Sequence, residues 1–433
     1  MSFMNQRAHN ILHLLLTIMP IGIFLIKGWI SSVLFVCSAL SLFIIISGKL
    51  SSLKNQPAVE KTNSLRWFYL ILIMLIFPVT AVIISSVLRN EWIWPDFDSP
   101  FRFLLATPIF YVVFKNKLNL INRWQYILPL TLVITLLALP FIHSYYHGQD
   151  PFKTRMGTYF VDPLTFGWIS LTFSLLTLFS INLDRKEHWS LILFKIIGAG
   201  IGFYFSMKSQ SRTGWLAIPF IFFLFVFTHG PKNKVVSMLT AFIVSLVLIA
   251  AIYQSFSVVK QRVSEGYDDI VSYKMNDVNE LSSLGERISF ARMGFYYFSL
   301  NPVLGWGHNG FNDHVNDAEI SAYANEHTRH TPGGGGLFHN ELVTNAVAFG
   351  VWGIIYTVLL FFAPLALFIT SWRKKINPKI CALGVVYIIC EVISSFSTEV
   401  FALKFTASFH AVFLSCFCAT ILAGLSNASR SNS

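Results

Sequence analysis

The stretches Leu70-Ile71-Leu72-Ile73-Met74-Leu75-Ile76 and Ile218-Pro219-Phe220-Ile221-Phe222-Phe223-Leu224-Phe225-Val226-Phe227 are apolar on every side. A surface helix of a soluble domain keeps one apolar stripe and one polar face. Neither stretch has a polar face, so lipid rather than water is the solvent that suits them. The whole chain agrees: of 433 residues, 54% are hydrophobic and 12% charged, with mean hydropathy +0.60, whereas a soluble domain carries about 25% charged residues. The fold class read from this is an all-α integral membrane protein with about twelve transmembrane helices.

The expected spans are Ile11–Ile26 and Ile30–Ser47, joined by a tight turn at Lys27-Gly28-Trp29, then Trp67–Leu88, Phe101–Phe114, Trp124–His143, Pro163–Ile181, Leu191–Met207, Thr213–Thr228 and Val235–Phe256. After a long polar interval come Phe338–Thr370, long enough to tilt or break, Ile380–Phe396 and Phe405–Leu425. Residues 1–256 thus hold spans one to nine, 257–337 form a loop domain, and 338–433 hold spans ten to twelve. The first span follows Arg7 without a small-residue cleavage site, so it is expected to stay as a helix rather than leave as a signal peptide. The links at 48–66, 115–123, 182–190, 229–234 and 371–379 alternate onto one side and together hold fifteen Lys and Arg. The positive-inside rule makes that side the cytoplasm. Both termini are then cytoplasmic, and the acidic loop 89–100, the polar loop 144–162, the turn 208–212 and the long interval face outward.

Net charge is +11, and those links account for about half of the basic residues; no basic stretch is interleaved with aromatics on a polar segment, so nucleic acid is set aside as a partner. Cys37, Cys381, Cys390, Cys416 and Cys418 all lie in apolar segments and read as small buried hydrophobes rather than a disulfide framework. His308, His314, His327 and His330 match no zinc spacing and have no cysteine beside them, so no metal is expected. No P-loop, GxGxxG or Ser-His-Asp set is present.

Four outward features carry side chains suited to chemistry. Ser211-Arg212-Thr213-Gly214 sits in a very short turn, one helical turn from Lys208. An Arg at a helix end is ordinarily an interfacial anchor, but two cations at the outer mouth of a helix pair also suit an anion. Gly285-Glu286-Arg287 opens a helical stretch, with Arg292 within it, whose aromatics from Ile288 to Leu300 are expected to pack on the membrane domain. Asn301-Pro302 stops it, and the following Gly305-x-Gly307 is a tight turn. His339-Asn340-Glu341 stands where the chain re-enters the membrane, after Pro332-Gly333-Gly334-Gly335-Gly336, either as a helix end or as a proton acceptor. Arg155 to Pro163 precedes the sixth span; Asp162-Pro163 reads as a helix start with an N-cap and Pro at N1.

Arg287, followed fifteen residues on by Pro302 and then by Leu304-Gly305-Trp306-Gly307-x-x-Gly310-Phe311, resembles the shared region of the O-antigen ligase and polymerase superfamily. The later His339-Asn340, with Phe349-Gly350-x-x-Gly353, is similar to its second half, and Ser211-Arg212-x-Gly214 to its opening. The resemblance spans roughly residues 205–355. It implies a GT-C-type glycosyltransferase of the bacterial inner membrane, with one large periplasmic loop and an active site facing the periplasm. It further implies a donor glycan on undecaprenyl diphosphate and, for the ligase branch, lipid A–core oligosaccharide as acceptor, with no cofactor, metal or nucleotide. The leaving group is a diphosphate, and fixed guanidinium groups stabilise its growing charge. Arg212 and Arg287 are the main candidates, with Arg155, Lys208 and Arg292 as further diphosphate contacts; His339 is the candidate base for the acceptor hydroxyl. The polymerase branch, which joins lipid-linked repeat units, is the alternative. A transporter or flippase is less well supported, because only Lys195 and Glu391 look deep in the spans, and Lys195 is near enough to an end to snorkel.

Overall fold

The computed structural model describes residues 3–51, 63–147, 155–183, 186–211, 215, 218–219, 234–255, 257–274, 283–308, 310–332 and 337–431. Among them no strand occurs. The helices are α1 (Phe3–Ile18), α2 (Trp29–Ser51), α3 (Asn63–Arg89), α4 (Trp94–Lys115), α5 (Ile121–His147), α6 (Pro163–Phe179), α7 (Trp189–Lys208), α8 (Lys234–Ser255), α9 (Ser257–Lys274) and α10 (Ser283–Leu300). Two short turns of helix, α11 (Ala318–Ser321) and α12 (Glu326–His330), precede α13 (Glu341–Phe349), α14 (Val351–Arg373), α15 (Pro378–Ser394) and α16 (Lys404–Ser431).

Seven of these helices are long and apolar enough to cross a membrane among the described residues, and Pro163–Phe179 is a shorter apolar one. The expected span 213–228 lies mostly outside the described residues. The first expected span is displaced: α1 ends at Ile18, and residues 19–28 form a connection with a 3-10 turn at Ile21–Ile23 in place of a three-residue turn. The Trp29 indole N–H donates to Met19 O at 2.8 Å, and its ring lies where a Cβ on Gly22 would have to go. Pro20 lacks the N–H that would have continued the helix.

The centre of the bundle is α16. The candidate span within it is 94% buried, against 33–50% for the other six. Its face is small and apolar (Ala407, Ala411, Cys416, Cys418, Ala419), interleaved with Phe409, Phe413 and Phe417. Small residues let neighbouring helices approach closely in lipid, and Trp124 of α5 stacks on Phe413 with ring centroids 4.3 Å apart. Lys404 pairs with Asp98 at the start of α4, and sixteen residues further on Thr420 Oγ1 donates to Leu118 O at 3.4 Å, just past the end of α4. The two helices therefore run parallel over about 24 Å.

The same contacts sort the connections into two ends. Leu118, Asn182 and Asn377 gather at one end, where Lys379 Nζ donates to Asn182 O and Asn377 lies beside Gly424. The segments 89–98, 155–162, 301–308 and 395–403 gather at the other.

Lys195 does not snorkel to lipid. It is fully buried and its Nζ donates to Glu187 Oε1 at 2.7 Å, Gln125 Oε1 at 2.8 Å and Ser180 O at 2.9 Å. Three protein acceptors replace the headgroups, one of them a carbonyl just past α6 that the helix itself leaves unsatisfied. Glu391 is also paired, its Oε2 2.9 Å from Nε2 of His410, a buried histidine that hydropathy alone did not single out.

The expected break in Phe338–Thr370 falls at Gly350, between α13 and α14, and a loop is laid into it. Val351 N–H donates to Pro302 O at 2.8 Å, Trp306 N–H to Val347 O at 2.9 Å, and Gly307 N–H to Ala348 O at 2.8 Å. Arg89, paired with Asp96 at 3.4 Å, donates to Ala348 O at 3.0 Å. Gly350 has φ +60 and ψ −143, a region almost closed to other residues. A Cβ there would stand 2.5 Å from Val303 C, and one on Gly305 2.5 Å from Gly350 N. The glycines of the Gly-Trp-Gly segment are therefore a backbone joint.

Two outcomes follow from this packing. Lys195→Ala leaves the Glu187 carboxylate facing a dry interior and should cost about 3–5 kcal/mol. It is read as a lowered thermal-unfolding midpoint in detergent, with the Lys195→Ala, Glu187→Ala double variant losing less than the two single losses added. Gly350→Ala should cost at least about 1–3 kcal/mol from its backbone conformation alone, and limited proteolysis should then open the 301–308 segment. An unchanged digestion pattern would contradict the joint.

Candidate functional site

Helix α10 presents one stripe to open space and another to a core. Leu284, Arg287, Ile288, Ala291, Arg292, Phe295, Tyr296, Ser299 and Leu300 recur at three- and four-residue spacing and line one wall of a cavity of about 910 Å³. The opposite stripe, Phe290, Met293 and Tyr297, is buried against Phe311, Val315, Ile320, Phe338 and Val347. The expectation that the aromatics of this helix pack on the membrane domain thus holds for part of them only. Phe290 and Tyr297 belong to a small core built by the loop itself with α13, while Phe295 and Tyr296 face the cavity.

His339 and Asn340 form part of the opposite wall, with Phe396 and Ser397 from the segment before α16. Asn340 is the N-cap of α13, its side chain accepting from Val343 N–H at 3.2 Å, so His339 stands one residue outside the helix. Its φ is +52, a conformation that costs a non-glycine residue about 1–2 kcal/mol. The strain is held in place two residues on: the Glu341 N–H donates to Ser395 O at 2.9 Å. Glu341 itself is fully buried, and its Oε2 accepts the N–H groups of Val400, Phe401 and Ala402 at 2.7, 2.8 and 3.3 Å. The His339 ring is partly exposed toward the cavity, with the Phe290 ring 5.6 Å away.

The sequence-derived candidates separate as follows. Arg287, Arg292 and His339 line the same cavity. The Arg292 guanidinium lies 3.9 Å from the centroid of the Tyr323 ring, a cation–π contact that flattens it against the wall. Arg155 and Lys208 are together elsewhere: the Arg155 Nε–H donates to Ser209 O at 2.8 Å, and the Met156 N–H to Lys208 O at 3.1 Å. Arg155 therefore caps the C-terminus of α7, and neither residue lines the cavity. Arg212, and the glycine run 333–336, lie outside the described residues. The two groups approach a common element, because Phe160 packs on Phe405 at 6.2 Å while Phe396 and Ser397 line the cavity. Asp162 caps α6 as expected, accepting from Thr165 N–H at 3.0 Å.

Sequence reading missed three groups here. Tyr296 donates its hydroxyl to Asp317 at 2.6 Å, and His314 Nδ1 lies 3.1 Å from the same oxygen. That bond pushes the Tyr296 phenol up to about 12, and the Tyr296 hydroxyl, with the His314 ring behind it, holds the Asp317 carboxyl below its usual range. Glu319, from α11, adds a carboxylate to the cavity rim. Their partners lie many residues away in the loop, and no local spacing marks them. Among the described residues no three His, Cys, Asp or Glu side chains cluster as a metal-binding group.

The cavity therefore offers two guanidinium groups and one imidazole lining a common space, with Phe295, Leu300 and Phe396 leaving broad apolar surface at its edge. That arrangement can hold an anionic group and take a proton beside it. No curated protein matches the chain. A family model described as O-Antigen ligase matches residues 197–358, a stretch running from within α7 across the cavity helix and the Gly350 break into α14. Residues 197–358 are therefore similar to the O-Antigen ligase family, in a chain with seven helices long and apolar enough to cross a membrane among the described residues.

Proposed function

We propose that this protein is an O-antigen ligase, a GT-C-type glycosyltransferase that moves a glycan from undecaprenyl diphosphate onto a sugar hydroxyl of lipid A–core. The observation that carries the reading is the convergence of Arg287, Arg292 and His339 on one cavity with an apolar edge. In the reaction, the acceptor oxygen attacks the anomeric carbon as the bond from that carbon to the diphosphate oxygen breaks. The diphosphate leaves with the electron pair, and the guanidinium groups stabilise its growing charge through directed hydrogen bonds. Nε2 of His339 takes the proton of the attacking hydroxyl. Arg212, covered by the family match, is assigned to the same diphosphate. Arg155 and Lys208 are given the approach to the site rather than its centre, since Arg155 is engaged at the end of α7.

The same reading puts the cavity on the periplasmic side of the bacterial inner membrane, between a loop domain spanning residues 257–337 and the segments around His339 and Ser397, and both termini in the cytoplasm. The gathering of the links around Leu118, Asn182 and Asn377 at the opposite end supports it, because Lys115, Lys117, Lys186 and Arg373 to Lys375 belong to those links. The reaction as drawn needs neither metal nor nucleotide. It moves no substrate across the bilayer; Lys195 is engaged with Glu187 in an ion pair of the scaffold, and Glu391 lies against the His410 ring.

The test is reconstitution of the purified protein with undecaprenyl-diphosphate-linked glycan and lipid A–core, without added metal or nucleotide, with products separated on a gel. Glycan appearing on lipid A–core supports the ligase. Lengthening of the lipid-linked glycan, with none on lipid A–core, would replace it with a polymerase. Arg287→Ala and His339→Ala should each lower the rate by about 10²-fold or more, while the folded protein remains in the membrane. Full rates in both variants would remove the site.

A further inference from the structure

Glu399 lies behind the ring of His339, away from the cavity. Its side chain is 2% exposed, and its Oε2 stands 3.9 Å from His339 Nδ1. Its other oxygen accepts the Thr344 hydroxyl at 3.0 Å, and that hydroxyl accepts the Phe338 N–H at 3.0 Å, so the Thr344 proton is committed to the carboxylate. His339 Nδ1 is buried and has no hydrogen-bond partner among the described residues, although the side chain as a whole is 39% exposed. A buried ring nitrogen facing a buried carboxylate is satisfied in one way: Nδ1 carries the hydrogen and points it at the carboxylate. The neighbouring carboxylate, Glu341, is saturated by the N–H groups of residues 400–402 and by the Asn345 amide at 2.5 Å. Those bonds fix the backbone immediately after Glu399.

We propose that Glu399 is a positioning residue for His339: it accepts the Nδ1–H, holds the ring with the lone pair of Nε2 toward the cavity, and stabilises the imidazolium formed when Nε2 takes up a proton. The inference rests on the reading of His339 as the base. The proton moves from the acceptor hydroxyl to Nε2; the Nδ1 hydrogen stays on nitrogen, and Glu399 remains a carboxylate. The separation is beyond hydrogen-bond length, and catalytic hydrogen bonds of this kind are commonly long in the free enzyme and shorten with substrate.

Glu399→Gln tests this with a defined geometry. The Thr344 hydroxyl needs an acceptor, so the amide oxygen takes that place and the amide N–H faces Nδ1. The ring must then carry its hydrogen on Nε2, where it can no longer accept one. With purified full-length protein, undecaprenyl-diphosphate-linked glycan and lipid A–core, kcat should fall about 10- to 100-fold while KM for the donor stays within about two-fold. Glu399→Asp should fall in between. The ¹⁵N spectrum of His339, assigned by its loss in His339→Ala, should show the Nδ1–H tautomer in the unaltered protein and the Nε2–H tautomer in Glu399→Gln. This readout needs no turnover, so it decides the inference even if the transfer reaction proves different, and it decides from the unaltered protein alone if Glu399→Gln fails to fold. A folded Glu399→Gln protein with unaltered kcat beside an inactive His339→Ala, or an Nε2–H tautomer in the unaltered protein, overturns it. Full activity in both His339→Ala and Arg287→Ala would instead overturn the proposed function.

Discussion

A carboxylate removed from water must find donors or lose its charge, and Glu341 finds four. Three are consecutive backbone N–H groups of residues 400–402 and one is the amide of Asn345, an arrangement resembling the backbone concavities that bind anions elsewhere. Leaving such a charge buried without partners would cost several kcal/mol. The bonds therefore dictate where the start of α13 sits relative to the segment before α16. Asn345 extends the set to Thr357 of α14 at 2.9 Å, so both halves of the broken helix and the 400–402 backbone are held by one group of side chains. The position of His339 is set from both sides: by the N-cap that follows it in sequence, and by the segment that Glu341 draws beneath it.

The apolar spans were legible because lipid demands uninterrupted apolar surface, and such surface needs no partner to be recognised. Their approximate bounds followed for α3, α5, α7, α15 and α16. The first span was misplaced because its end is set by Pro20 and by the Trp29 ring over Gly22, a contact that hydropathy does not register. Arg287 and His339 were legible as candidates through motif order, and both line one cavity. Glu399 was not, since it lies 60 residues from His339 in sequence and carries no local pattern. Arg155, expected as a further diphosphate contact, has its Nε–H at the carbonyl end of α7, an engagement that no local spacing announces.

The motif glycines illustrate a different limit. Glycine pairs in a family pattern suggest contact with a ligand, yet Gly305 and Gly350 meet each other's backbone. The two belong to a joint through which α10 is hung from the break between α13 and α14. The joint reaches the bundle through Arg89 and through Ser85, whose hydroxyl donates to Leu304 O at 2.5 Å. The chemistry proposed above falls to side chains at the edges of this joint, and the joint supplies the rigidity that a site acting by orientation requires.

The edge of the cavity, where Phe295, Leu300 and Phe396 present apolar surface, has a kinetic meaning if the substrates are lipid-borne as proposed. Such an opening samples a two-dimensional fluid. Occupancy is then governed by the mole fraction of each glycolipid in one leaflet and by lateral diffusion, and dilution of the bulk medium leaves it untouched. Adding inert phospholipid at constant total substrate would slow the enzyme, a behaviour familiar from interfacial catalysis and foreign to a site that opens only to water.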